Sequence, residues 1–437
     1  MRVKLKTLGC RLNEAELESW ARQLRSEGHS IVADGAMADL VILNSCAVTE
    51  DAAKKSRYLI RKTHRENPAA KLVVSGCYAT LGGAAAAAQL GVDLVVSNRD
   101  KPQLLDIARR ELDFAAMPAA SQEPGACALF QLGRQRAFVK VQDGCRYRCS
   151  FCIVTVARGE ERSRTIAEIT EEISMIHADG IPEVVLTGVH LGGWGGDLGL
   201  RLEDLLQAIL DRTRVPRIRI GSLEPWEFTD RLLELLAAPR IMPHLHLPLQ
   251  SGCDATLRRM ARRCRSADFA ALIESARKRI ADLNVTTDLM VGFPGESDEE
   301  WRQSLAFVAA QEFGHIHIFG YSPRAGTRAA GLPLQVDGAV KKARSGELQV
   351  LARQQQQRVL GRARGRTLPV LWEVGEPLSA SGHWRYFGYT PNYLKVAAEL
   401  APSPSPTGRI LPTLLGTPST AGDYLTGSIT AAALTKD

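Results

Sequence analysis

The feature that most constrains this chain is an alternation of short apolar runs with helical patterns, and it occurs twice. In the first stretch, residues 2–7, 39–44, 71–75 and 93–97 are apolar runs bounded by turn residues. Helical patterns lie between them. Residues 14–26 end at Gly28, and residues 50–65 follow Thr49, a capping residue, with acids in the first turn. Such alternation builds an open parallel sheet covered by helices. The second stretch has strand candidates at residues 137–142, 183–187, 217–221, 244–247, 284–291 and 315–319. Six strands separated by helices predict a partial (β/α)6 barrel, in which chemistry gathers at the C-terminal ends of the strands.

The organisation that follows is an α/β domain over residues 1–114, a linker over 115–134, a barrel domain over 135–364 and a small β-region over 365–400. The linker is Ala, Pro, Ser and Gly-rich in its first half. The barrel domain closes with a long helix over residues 339–362, and the β-region has strand candidates at 368–374 and 393–398. The tail, residues 401–437, is rich in Pro, Thr and Ser, a composition that predicts partial disorder.

With 437 residues and 45% apolar content, the chain can bury sizeable cores. A net charge of +7 favours polyanionic partners, although a merely basic enzyme has the same balance. The first eight residues alternate charged and apolar side chains, unlike a signal peptide, and no apolar run is long enough to cross a bilayer. A cytoplasmic protein without membrane association is expected. In that compartment nine cysteines read as metal-binding or catalytic candidates, not as a disulfide framework.

Cys10, Cys46 and Cys77 share one setting, each two or three residues beyond a predicted strand. Their spacings of 36 and 31 residues match one strand–helix unit apiece. A parallel sheet collects its strand ends along one edge, so the three thiols can meet in space. Thiolates gathered this way suit soft metals or iron–sulfur clusters. Zinc is an alternative, but a closed zinc site wants four ligands and no fourth is evident. Three unrelated buried cysteines are the plainer alternative.

The sharper signal is Gly144-Cys145-Arg-Tyr-Arg-Cys149-Ser-Phe-Cys152, directly after the first barrel strand. Three cysteines on one loop can hold three irons of a 4Fe–4S cube, which normally takes four. The fourth iron then keeps an open position, as a catalytic metal requires. A zinc knuckle with a distant fourth ligand is the alternative, and the location at the barrel mouth argues against it.

This Cys-x3-Cys-x2-Cys loop, with Phe151 before its last cysteine, resembles the signature of radical S-adenosylmethionine enzymes. Ile153, Arg158-Gly159 and Ser163-Arg164 resemble the methylthiotransferase version. So do Leu247-Pro-Leu-Gln250-Ser-Gly252, Asp288-Leu-Met-Val-Gly292-Phe-Pro294-Gly295 and Tyr321-Ser-Pro-Arg-Ala-Gly326-Thr. The resemblance runs from about Lys6 to Val396.

The resemblance implies two 4Fe–4S clusters. One, on Cys145, Cys149 and Cys152, binds S-adenosylmethionine and cleaves it to a 5′-deoxyadenosyl radical. The other, on Cys10, Cys46 and Cys77, carries the sulfur to be inserted, and a second S-adenosylmethionine supplies the methyl group. Expected cofactor contacts lie at strand ends: Phe151, Gly188, Gly192, Ser222, Glu224, Gln250, Asp288 and Gly292. Taken singly, each also reads as a loop or capping residue. Many radical enzymes carry an acid in the turn after the second barrel strand, where this chain has Gly192-Gly193.

Three substrate classes occur in the family: threonylcarbamoyladenosine and prenylated adenosine beside the tRNA anticodon, at position 37, and an aspartate of a ribosomal protein. The stretches Thr7-Leu-Gly-Cys10-Arg-Leu-Asn13-Glu, Asn44-Ser-Cys46-Ala-Val-Thr49 and Gly388-Tyr-Thr-Pro-Asn392-Tyr-Leu-Lys395-Val are similar to the threonylcarbamoyl branch. The tRNA anticodon stem-loop is thus the expected partner, with Asn13, Lys55, Arg57 and Arg158 as substrate contacts. A flavodoxin- or ferredoxin-like electron donor is implied, no sulfur donor is identifiable, and a monomer is expected. The β-region occupies the place of the family's RNA-binding TRAM domain, as an atypical version.

Charge adds to this picture. Lys54, Lys55, Arg57, Arg61, Lys62 and Arg65 crowd one helix, and Arg258, Arg259, Arg262, Arg263 and Arg265 form a second block. Either suits phosphates, and either is also an ordinary solvated face. Cys127, Cys253 and Cys264 have no partner at ligand spacing and read as structural; His190, His244 and His246 read as locally satisfied histidines. A non-enzymatic iron–sulfur carrier or RNA-binding protein is the alternative of another class.

Overall fold

A computed structural model describes residues 1–88, 90–112, 135–378 and 382–435. Strands Arg2–Thr7 (β1), Ser30–Ile31 (β2), Leu40–Ser45 (β3), Lys71–Gly76 (β4) and Leu94–Val96 (β5) form a parallel sheet in the order β2-β1-β3-β4-β5. Between them run helices Arg11–Ser26 (α1), Glu50–Glu66 (α2) and Cys77–Ala88 (α3), and Leu104–Leu112 (α4) follows. The sheet is apolar on both faces, as a sheet covered by helices must be. Leu40, Ile42 and Val73 pack with Trp20 and Leu24 of α1 and Leu105 of α4. Val41, Leu43, Leu72 and Val74 face the other way, toward Ile60 of α2. The period of two along β3 sorts its residues between two cores.

The barrel strands are Arg136–Lys140 (β6), Glu183–Thr187 (β9), Arg217–Ile220 (β10), His244–His246 (β11), Asn284–Val291 (β12) and His315–Gly320 (β13). Gln142–Asp143 (β7) and Arg162–Ser163 (β8) form a small ribbon beside the cysteine loop. Two parallel sheets, β10-β9-β6 and β11-β12-β13, are joined by bridges at Ile218–Ile241 and Ser222–His246 into one curved six-stranded wall. Helices pack outside it through Ile173, Leu205, Leu232 and Ile273. The inner face is polar and charged.

The wall is not closed. Helix α1 lies along the free edge of β6, where Glu18 accepts from the Phe138 backbone N–H at 2.9 Å and Ala15 packs on Phe138 and Val185. A sheet edge is thereby covered by the neighbouring domain.

The C-terminal sheet corrects two expectations. Thr367–Trp372 (β14), Glu376–Pro377 (β15), Trp384–Tyr389 (β16), Lys395–Leu400 (β17), Ile410–Pro418 (β18) and Leu425–Ile429 (β19) form six strands, in the order β14-β18-β19-β17-β16-β15. The tail is therefore part of the β-domain and is not a disordered appendage. Leu411, Leu415 and Leu425 are buried beside Trp372 and Val396, so the core of this domain is incomplete without it. The domain caps the N-terminal ends of the barrel strands. Arg217 donates to Tyr389 O at 3.2 Å, Arg219 to Pro391 O at 3.1 Å and Asn284 to Asn392 O at 2.9 Å. The predicted linker, residues 115–134, with Cys127, lies outside the described residues.

Candidate active site

The first cysteine trio sits at the C-terminal ends of β1, β3 and β4. Cys10 caps α1 and is exposed; Cys46 and Cys77 are buried. Gly9 makes their approach possible. Its φ is +117°, and a Cβ there would stand 2.8 Å from Cys46 Cβ, so only glycine fits without displacement. Burial, and secondarily the neighbouring Cys77 and Cys10 sulfurs, push the Cys46 thiol up. Asn98 points its amide at Cys77 Sγ, 3.6 Å away, and Asn13 Oδ1 lies 4.0 Å from Cys10 Sγ.

The second trio lies on the loop between β7 and the short helix Val154–Arg158. Burial and mutual repulsion raise Cys145 to about 12 and Cys152 to about 11, and burial raises Cys149. Protons on such crowded sulfurs are released only to a compensating cation, and soft sulfur donors in threes suit an iron–sulfur cube with one open iron. The donor sets therefore fit the clusters that the sequence pattern implies.

The two trios share the Val154–Arg158 helix. Ala157 packs against Cys77 and Ala47, and its carbonyl accepts from the same Asn98 amide at 2.8 Å. Arg158 donates to Asn13 Oδ1 at 2.7 Å, to Glu16 at 3.0 Å and to Asp143 at 3.0 Å. Lys101 and Lys140 complete the network by binding Glu16 at 2.6 and 2.8 Å. Burial alone would push the Glu16 carboxyl up; the three cations outweigh it and hold it well below its ordinary value.

Asn13 and Arg158 were expected to touch substrate. Both are instead buried, at 1% and 5% exposure, with their polar atoms engaged between the domains. Lys55 and Arg57 remain accessible on α2. Lys54, Arg57, Tyr58, Arg61 and Arg65 line a groove of about 300 Å³ on that helix. The second arginine block divides: Arg258, Arg263 and Arg265 are exposed, and the other two are engaged. Arg259 pairs with Glu300, and Arg262 is buried against Glu224 at 2.7 Å and over the Trp226 ring.

The predicted cofactor contacts divide into two groups. Phe151 packs edge-on to Phe293 beside Tyr321, and Gly292 is a buried turn against Lys341. Glu224 has both oxygens on Arg262, at 3.0 and 2.7 Å. Ser222, Gln250 and Asp288 gather around the strand ends. Ser222 bridges His246, Gln250 bridges Leu289, and Asp288 lies 3.2 Å from His246 Nε2. Gly188 packs against Gln142.

Gly192 carries no acid, yet an acid is present. A Cβ at Gly192 would stand 2.9 Å from the Glu227 side chain. His190 joins Glu227 at 3.1 Å to Glu161, and a Cys145, Glu161 and His190 donor group lies within 4.8 Å. Tyr147 also hydrogen-bonds Glu227. Sequence reading missed Glu161, Glu227 and Tyr147, because nothing in their spacing links them to the Gly192 turn. The locally satisfied reading agrees with the bond of His246 Nδ1 to Thr286 at 2.9 Å; His244 bonds the same hydroxyl through Nε2 at 3.0 Å, but its Nδ1 is buried without a partner. Cys253 and Cys264 are buried.

Known proteins place this geometry. The uncharacterized protein family UPF0004 matches residues 2–97, and the radical SAM superfamily matches residues 139–308. A threonylcarbamoyladenosine tRNA methylthiotransferase, MtaB, of Bacillus subtilis is 36% identical over 90% of this chain and 89% of its own. A tRNA-2-methylthio-N(6)-dimethylallyladenosine synthase of Paracoccus denitrificans is 35% identical over 84% and 85%. Among solved structures, the radical S-adenosylmethionine methyltransferase TsrM of Kitasatospora setae shares the fold, with a TM-score of 0.54 and 16% identity over 75% of this chain and 77% of its own. Likeness over about nine-tenths of both chains leads to one conclusion: the chain belongs to the radical S-adenosylmethionine methylthiotransferase family.

Proposed function

We propose that this enzyme converts N6-threonylcarbamoyladenosine, beside the anticodon of tRNA, to its 2-methylthio derivative. The observation that carries the reading is the shared Val154–Arg158 helix, which leaves Cys152 at its start and packs on Cys77 at its end. Radical generation and sulfur insertion need neighbouring sites, and one rigid turn separates them here. The sequence stretches at Cys10, Cys46 and Gly388 and the relatives named for threonylcarbamoyladenosine support this substrate.

Cys145, Cys149 and Cys152 would hold one 4Fe–4S cluster, and Cys10, Cys46 and Cys77 the other. When bound, the clusters and S-adenosylmethionine supply the electron transfer, the sulfur and the methyl group. The chain supplies position and exclusion. Arg158, Glu16 and Lys140 fix the distance between the two domains. Helix α1 seals the edge of β6 against water. Glu161 and Glu227 place negative charge beside Cys145, suited to the amino group of the cofactor. The groove on α2 offers four cations and the exposed Tyr58 to the phosphates of an anticodon stem-loop.

The Paracoccus relative favours a second reading, the same chemistry on a prenylated adenosine. Nucleoside mass spectrometry of tRNA from a strain lacking the gene separates the two. The proposal expects loss of 2-methylthio-threonylcarbamoyladenosine; an intact peak with loss of the prenylated derivative transfers the assignment to the second reading.

A further inference from the structure

Arg136, Arg219 and Arg11 gather round the Tyr393 ring, and the first two are paired. Arg136 pairs with Glu373 at 2.9 Å, and Arg219 with Glu183 at 3.0 Å. Arg217 lies 3.7 Å from the same glutamate. Arg11 is the exception. It is the first residue of α1, next to Cys10, and half-buried. Among the described residues it makes no hydrogen bond and no ion pair. Its guanidinium stands 6.0 Å from the centre of the Tyr393 ring, and it acts electrostatically on His244 and His317. Burial holds both histidines neutral at pH 7, with His315 contributing at His317. Arg11 is thus a fixed positive charge with no carboxylate of its own among the described residues.

An unpaired guanidinium in a half-buried position is costly to keep and is suited to a carboxylate that arrives from outside. Resting on the function proposed above, we propose that Arg11 receives the carboxylate of the threonyl group on the substrate base and so selects the threonylcarbamoylated adenosine. Two placements support this. Arg11 adjoins Cys10, so an anion bound to it brings the attached base to the first trio. The N6 substituent also sits on the ring edge adjoining carbon 2, the atom to be modified. Tyr393 and the neutral His317 offer the polar and aromatic surroundings that the carbamoyl and hydroxyl groups need. A prenyl substituent has no charge to give to this guanidinium.

The same guanidinium chemistry suits an RNA phosphate, and the experiment separates the sources. Anticodon stem-loops bearing threonylcarbamoyladenosine, its carboxyl methyl ester, prenyladenosine or plain adenosine are bound to the reconstituted wild-type enzyme, to R11Q and to R11K. Wild type is expected to bind the free acid about 10- to 100-fold more tightly than the ester. R11Q is expected to lose that preference, to cut kcat/KM on the free acid by a similar factor, and to bind the plain stem-loop as wild type does. R11K should regain part of the preference, since it restores charge without the planar fork. Iron content is read for each variant, and the wild-type ester comparison stands even if R11Q loads poorly. Equal binding of acid and ester overturns the inference while leaving the proposed function intact, provided the acid is methylthiolated. An equal loss by R11Q on every stem-loop assigns Arg11 to a phosphate and also overturns it. Turnover of the prenylated stem-loop alone overturns both proposals.

Discussion

Arg158 donates at 2.7 Å to the side-chain oxygen of Asn13, joining the residue six places after Cys152 to the residue three places after Cys10. The contact couples the two cysteine sites, alongside the Asn98 amide that reaches Cys77 and the Ala157 carbonyl, and it belongs to a buried network centred on Glu16.

Glu16→Gln should destabilise the protein by about 3–5 kcal/mol, because it leaves the buried Lys101 and Arg158 and the half-buried Lys140 without their shared carboxylate. Denaturant unfolding measures this, and a loss below about 1 kcal/mol would show that the network is dispensable.

The same network sets an acid limit. Burial opposes ionisation of Glu16 and Asp143, but the surrounding cations hold both below their ordinary values of 4.5 and 3.8. A carboxyl depressed on folding stabilises fully above its unfolded value and loses that stabilisation as pH falls through the folded one. Stability should therefore hold from neutrality to about pH 5 and decline below it, with a shallower decline in Glu16→Gln. Identical acid profiles for the two proteins would exclude this origin.

Gly9→Ala tests the packing of the first trio. The new methyl group would stand 2.8 Å from Cys46 Cβ, at a φ of +117° that alanine resists. Wild type reconstituted without air should carry about eight irons and the variant about four, since only one cube is affected. Production of 5′-deoxyadenosine should persist while methylthiolation is lost. A full iron complement in the variant would mean that the loop relaxes around the methyl group.

Removing residues 401–437 should prevent the C-terminal domain from folding. Leu411, Leu415 and Leu425 are 5%, 1% and 0% exposed, and each contributes about 1.5–3 kcal/mol through burial. Leu425→Ala is the milder version and should cost about 2–5 kcal/mol. Thermal unfolding checks both, and a truncated chain with unchanged melting would contradict the six-stranded sheet.

The tail shows why part of the fold escaped sequence reading. Along β18 the alternation is present: Leu411, Thr413 and Leu415 are buried, while Pro412 and Leu414 are exposed. Pro412 and Pro418, with Ser and Gly between the strands, carry the opposite signal, and compositional bias outweighed a period of only a few residues. Pro412 is tolerated because it lies opposite Pro369 in β14. Where the composition was ordinary, as in β9 and β12, the expected bounds coincide with the strands. The cysteine positions were legible because each follows a strand. The network of Glu16, Lys101, Lys140 and Arg158 was not, because charged residues on separate helices and strands look like solvated faces or substrate contacts until the domains dock.

Helix α2 makes the last prediction, about how RNA is held. Lys54 and Arg61 are exposed, and with Arg57 and Arg65 they border the groove beside Tyr58. Cations that contact phosphates release counterions, so affinity falls with salt by about 0.7 log units per contact for single strands and about 0.9 for duplex, per log unit of salt. Lys54→Glu with Arg61→Glu removes two such contacts. The salt slope for an anticodon stem-loop should become shallower by about 1.4–1.8, measured by equilibrium binding between 50 and 200 mM salt. Folding should be little altered, since exposed substitutions of this kind shift stability by roughly 0.5 kcal/mol or less. An unchanged slope in the double variant would remove α2 from the RNA-binding surface and leave its six cations as a solvated face.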